Sequence, residues 1–192
     1  MTQERRDERA TTGVTRRGFV TAVAAGAGAT ATGCLGGSDA SETEDALPDE
    51  VEVKMKSIPR QEFDPEIAHV AVGGTVRWVL ESGRHDTTAY HPDVRDGASL
   101  RIPEAAEPWR SDPMSTVGET FEHTFEVEGV YDYLDTRAVC VRHETVGMVG
   151  RVVVGEPDLD SERAMEPPQE GMPRRAANDI SELNERTREM FD

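Results

Sequence analysis

At 192 residues, with 36% hydrophobic side chains, the chain holds one cored domain plus tails rather than two full domains. Thirty-eight Asp and Glu face 21 Lys and Arg, 19 of them Arg, for a formal charge of −17. Such a surface repels nucleic acid and anionic headgroups, which argues against a polyanion partner.

Residues 1–33 read as an address. Thr15-Arg-Arg-Gly-Phe-Val-Thr21 sets paired arginines before a Phe, and the adjoining run TAVAAGAGATATG ends at Cys34. That run is too short and too rich in Ala and Gly for a membrane-spanning helix, which needs about 20 strongly apolar residues. It suits a removable signal. The Arg pair resembles the twin-arginine export signal, and Ala31-Thr-Gly-Cys34 resembles a lipobox, whose cysteine becomes the lipidated first residue of the mature chain. The alternative for Cys34 is a plain thiol, free or bridged to Cys140. Residues 1–33 carry five Arg against three acids, so a chain starting at Cys34 has a formal charge of −19. Residues 34–50 have no apolar period and are rich in Gly, Ser and acids, the composition of a solvated tether reaching roughly 20–25 Å.

From residue 51 to 156 the pattern is that of short strands. Val51-Glu-Val-Lys-Met-Lys56 alternates, Ile67 to Val72 runs into Gly73-Gly74, and Thr75 to Leu80 is β-branched and aromatic. Asp86 to Tyr90 reads as a further short strand. Phe121, His123, Phe125 and Val127 share a face, Val130 to Tyr133 begins another strand, and Met148 to Val154 closes the series. Residues 95–117 lack a period and read as a long loop with room for a helical turn. The set predicts an antiparallel β-sandwich. Residues 157–192 form an acidic extension, either without structure or with a short docking helix capped by Asn178 or Asp179, whose Ile180, Leu183 and Thr187 share a face.

Chemistry concentrates in CVRHETVGM, residues 140–148. A lone Cys or Met is ordinarily core filler. Cys140, His143 and Met148 together offer thiolate, imidazole and a weak thioether, the donors that suit copper in both oxidation states when a second imidazole completes the plane. His85 follows a strand end and can turn into a pocket there. His91, beside Pro92, is a further candidate, whereas His69 and His123 lie inside strands and read as packing or surface residues.

The pattern Thr75-Val-Arg-Trp78, His85, Tyr131-x-Tyr133, Cys140-x-x-His143, Gly147-Met148-x-Gly150 resembles the blue copper proteins of the plastocyanin and halocyanin group over residues 51–155. The resemblance implies a cupredoxin-like Greek-key sandwich with one type 1 copper ion on His85, Cys140, His143 and Met148. Export signal, lipobox and acidity together resemble the lipid-anchored members of haloarchaea, whose carboxylate-rich surfaces stay hydrated in dense salt. The chain departs from the family pattern at two points. Leu134 to Val139 separate Tyr133 from Cys140, where members place the Cys one or two residues on, and Arg142 stands where Pro is common.

The role that the resemblance implies is that of a monomeric electron carrier, exported and anchored to the outer face of the cytoplasmic membrane. It serves partners in the membrane respiratory chain or exported redox enzymes. An enzyme is disfavoured, because no second copper set, paired catalytic carboxylates or nucleophile with a base is found. The rival reading is a copper-binding module for metal delivery or storage, and a third is a copper-free adhesion sandwich.

Overall fold

The computed structural model describes residues 46–137 and 148–192. Among these residues eight strands form two four-stranded sheets: β1 (Glu50–Lys56), β2 (Glu62–Asp64), β3 (Ile67–Val70), β4 (Gly74–Leu80), β5 (Thr88–Ala89), β6 (Thr120–Phe125), β7 (Gly129–Leu134) and β8 (Val149–Val154). One sheet has the order β2-β1-β4-β6, the other β3-β8-β7-β5. Alternating residues of both sheets meet in one core, Val53, Met55, Val76, Trp78 and Leu80 from the first against Ala68, Val70, Tyr131, Tyr133, Val152 and Val154 from the second. This is the sandwich that the alternation predicts.

The pairing is mixed rather than wholly antiparallel, since β1 runs parallel to β4 and β3 runs parallel to β8. After β2 the chain leaves the first sheet to form β3 in the second, then returns as β4 beside β1. A crossover of this kind delivers the returning strand in the same direction. Strand β2, which sequence reading passed over, lies at the sheet edge. It pairs in register Met55↔Phe63, and buries Phe63 against the ring of Tyr133.

Residues 95–117 contain no helix, and they are not a bare surface loop. Ile102, Trp109 and Met114 enter the core, Trp109 stacking on Trp78 at 5.7 Å between ring centres. Isolated bridges from Arg110 to Thr88 and from Met114 to His85 tie the segment to β5 and to the stretch just before it.

Every residue of β7 and β8 is buried, so neither face of that strand pair meets water. One face supplies the core; the other is covered by the extension. Two 3₁₀ turns, Leu159–Ser161 and Arg163–Met165, and the helix α1 (Arg174–Phe191) lie over it. Ala176, Ile180 and Leu183 pack on Tyr90, Leu134 and Val149, while Ala164 and Met165 pack on Val130. The docking helix is therefore the alternative that holds, with Ile180, Leu183 and Thr187 on the buried face as predicted. It begins a turn earlier than the proposed caps, at Arg174 after Pro173, because the apolar stripe extends back to Ala176.

Beneath that cover lies an ionic network. Asp132 and Arg151 are register partners on adjacent strands and, with Arg101, are wholly inaccessible to water. Asp132 accepts from Arg151 Nε at 2.8 Å and from Arg101 Nε at 2.8 Å. The remaining Arg151 donors reach Thr187 Oγ1 at 2.9 Å, Asn184 Oδ1 at 2.7 Å and the Ala164 carbonyl at 3.0 Å. Charges in such a place persist only when all their hydrogen-bonding capacity is met.

Candidate metal centre

The candidate centre lies where β7 ends and β8 begins. The ladder pairs Leu134 with Val149, and one step beyond it the Asp135 N–H donates to the Met148 carbonyl at 3.2 Å. Met148 is fully buried in the main core, as its thioether requires for a role at a water-free site. His85 lies between β4 and β5, held by a two-way bridge to Met114, its N–H on the Met114 carbonyl at 3.1 Å and its carbonyl receiving the Met114 N–H at 2.9 Å. Its side chain is also fully buried.

Both ring nitrogens of His85 have oxygen neighbours. Nε2 lies 2.9 Å from Ser57 Oγ, at the end of β1, and Nδ1 lies 2.5 Å from Asp135 Oδ2. Asp135 and Asp86 then fasten the two segments reciprocally. Asp135 Oδ1 accepts from the backbone N–H of Asp86 at 3.3 Å and of Arg137 at 2.7 Å, while Asp86 accepts from Thr136 N–H at 2.7 Å and Thr136 Oγ1 at 2.6 Å. Burial pushes the Asp86 carboxyl above the usual range, and the Thr136 hydrogen bonds oppose that shift. Gly150, two residues past Met148, allows the strand to lie on Tyr133, since a Cβ there would come within 2.4 Å of the ring.

Of the four residues the family resemblance implies as ligands, His85 and Met148 are thus brought to one strand-end region, joined through Asp135. Cys140 and His143 lie outside the described residues, as does Cys34. Among the described residues no group of three or more His, Cys, Asp and Glu forms a metal site. The donors that are described fit copper in kind, a buried imidazole and a buried thioether being acceptable to both of its oxidation states. His91 turns into local structure instead, its Nδ1 accepting from the Asp93 N–H at 3.1 Å. His69 and His123 pack as expected. His69 Nε2 sits 2.8 Å from the Gly155 carbonyl, and His123 stacks on Trp109 at 5.0 Å, with burial lowering its pKa. A 170 Å³ cleft beside His123 and Tyr131 contains none of the candidate ligands.

Sequence reading passed over Ser57, Asp86 and Asp135. The available signal was Asp135 itself, a short acid directly after the Tyr-x-Tyr strand, but its meaning depends on His85, fifty positions away.

The fold and these residues define a class, a two-sheet sandwich with a buried imidazole and thioether at one end of its strands. The sequence pattern of the copper binding proteins, plastocyanin/azurin family, matches residues 49–155, and the chain belongs to that family. Halocyanin of Natronomonas pharaonis is 35% identical over 94 residues, which cover 48% of this chain and 47% of that protein. The match thus spans about half the length of that relative. Pseudoazurin from Methylobacterium extorquens AM1 superposes with a TM-score of 0.51, covering 72% of this chain and 98% of its own at 23% identity, a likeness of fold. Membership is consistent with electron transfer rather than with an enzyme.

Proposed function

We propose that the chain is an exported electron carrier that cycles Cu(II) and Cu(I) at a single type 1 site formed by His85, Cys140, His143 and Met148. The observation that carries the reading is the arrival of His85 and Met148, both fully buried, at the same strand ends in a sandwich of the copper-binding family. Copper held there supplies one-electron redox chemistry. The chain's own part is to hold its donors still. The bridge to Met114 and the Ser57 contact orient the His85 ring, the β7–β8 ladder sets Met148, and the enclosing core excludes water. A donor set that barely moves between oxidation states keeps the reorganisation cost of electron transfer low. His143, by its place in the family pattern, offers the route out to a partner.

The same proposal includes the address. Residues 1–33 direct export by the twin-arginine route, and Cys34 carries the lipid that anchors the protein to the outer face of the membrane through the 34–50 tether. Among the described residues no helix is long and apolar enough to cross a membrane. A monomer meeting redox proteins of the membrane respiratory chain, or exported redox enzymes, is the working form, and the contacts are expected to be small and transient.

The test is to load the full chain with Cu(II) and record visible and EPR spectra beside Cys140→Ser. An intense thiolate-to-copper band with small parallel hyperfine splitting, absent from the variant, is expected. A weak spectrum that the variant leaves unchanged removes the carrier reading. Ready loss of Cu(I) to an acceptor, with no reversible cycling, would move the function to metal delivery.

A further inference from the structure

Side chains of β8 alternate between the two sides of the strand pair. Met148, Val152 and Val154 belong to the main core, whereas Val149 packs with Ala176, Ile180 and Leu183 of α1, and Arg151 reaches Asn184 and Thr187 of the same helix. The residue next to the thioether is therefore the one that the helix grips. Its partner in the ladder, Leu134, lies in the same apolar cluster.

That grip falls where the ladder is weakest. Leu134 and Val149 form its last rung, and beyond them the described tie between the strands is the Asp135 N–H on the Met148 carbonyl, at 3.2 Å the long limit for such a bond. Strand ends of this kind open locally unless side chains hold them. Here Ile180 is wholly buried and Leu183 nearly so. The helix is kept in register with the strand by polar contacts that flank Leu183: Arg151 binds Asn184 at 2.7 Å and Thr187 at 2.9 Å, and Arg186 pairs with Glu66 just before β3.

An axial thioether is a long, weak contact to copper, so its reach is set by the backbone that carries it rather than by the bond. We propose that α1 is a positioning element for the metal centre, Ile180 and Leu183 acting through Val149 and Leu134 to fix the reach of the Met148 thioether and thereby the reduction potential. This rests on the reading that Met148 is a copper ligand. It gives a role to an extension that lies beyond the family match, which ends at residue 155. A donor drawn away from the ion withdraws more stabilisation from Cu(II) than from the less charged Cu(I), so loosening the grip raises the potential.

The first readout needs no metal. In the metal-free full chain, amide exchange of Asp135 is compared with that of Asp132, whose N–H donates to the Arg101 carbonyl at 2.9 Å further along β7. Leu183→Ala is expected to raise the Asp135-to-Asp132 exchange ratio about tenfold, whereas Met165→Ala, which thins the cover over Val130 instead, leaves it within about twofold. With copper bound, Leu183→Ala is expected to lower the Cu(II)/Cu(I) affinity ratio about threefold, read by voltammetry as a potential about 28 mV higher, with the thiolate band kept. Met165→Ala leaves that affinity ratio within about 1.2-fold, or about 5 mV. Leu183→Met, which refills the space, returns both readouts toward wild type. Should Leu183→Ala not fold, the milder Ile180→Val is read in the same way, with a rise of about threefold expected in the exchange ratio. An unchanged exchange ratio, an unmoved potential, or an equal shift in Met165→Ala makes α1 a cover only and overturns the proposal. An unmoved potential with the thiolate band present leaves the carrier reading standing, whereas absence of that band from the wild type removes both.

Discussion

Tyr131, Asp132 and Tyr133 are successive residues of β7, and burial treats them differently. The Asp132 carboxylate is compensated by two arginines, whereas the phenols of Tyr131 and Tyr133 are pushed well above their ordinary value of 10.0, chiefly by loss of hydration. An acid whose pKa is raised by folding stabilises the native state below its unfolded pKa. That contribution is lost as pH climbs past about 10, where only the unfolded chain ionises. In a Tyr90→Phe background, tyrosinate absorbance is therefore expected to appear together with the loss of far-UV circular dichroism. Ionisation near pH 10 with the dichroism intact would show these phenols to be hydrated. The placement of single residues was legible for His85 and Met148, both buried next to strand ends, because a strand end and a spacing announce them. It was not legible in Asp135, whose partners come from the segment before β5 and the start of β8.

Helix α1 is where composition alone left two answers open. Its mean polarity is high, and few apolar positions reach the sheet, Ala176, Ile180 and Leu183 in the apolar cluster and Phe191 against the ring of His69. What commits it is the strand pair beneath. Arg151 sends donors upward to Asn184 and Thr187, so the helix completes the solvation of a charge that β8 buries. Arg151→Ala should cost about 3–5 kcal/mol, because Asp132 stays buried with half its partners gone and the helix loses its anchor. Urea unfolding measures this. A change below about 1 kcal/mol would mean that water replaces the guanidinium and that the cover is loose. The network also explains why β8 reads as an unbroken apolar run with one Arg inside it: both faces of the strand are interior, and Arg151 serves the outer one.

At the scale of the molecule, the strongest long-range force is the self-repulsion of a chain carrying −17. Exposed ion pairs among the described residues, such as Arg77 with Glu50 and Glu122 or Arg163 with Glu104 and Glu166, relieve part of it. Raising NaCl from about 0.1 to about 1 M shortens the screening length from about 10 to about 3 Å, and the melting temperature is expected to rise by about 5 °C or more. Calorimetry of the metal-free protein across that range is the check. A falling melting temperature would place the weight on these ion pairs instead, which salt weakens.

The sequence by itself determined the sandwich, the place of its strands apart from β2, and the family, since alternation, turn glycines and the spacing of His85, Tyr131, Cys140 and Met148 are local or one-dimensional signals. Only the tertiary structure decided that β1 lies parallel to β4, that Ile102, Trp109 and Met114 of the 95–117 segment are core, and that α1 roofs Asp132 and Arg151. It alone set Asp135 against His85. The reason is physical: a buried polar group is defined by the partners that replace its water, and those partners lie far away along the chain.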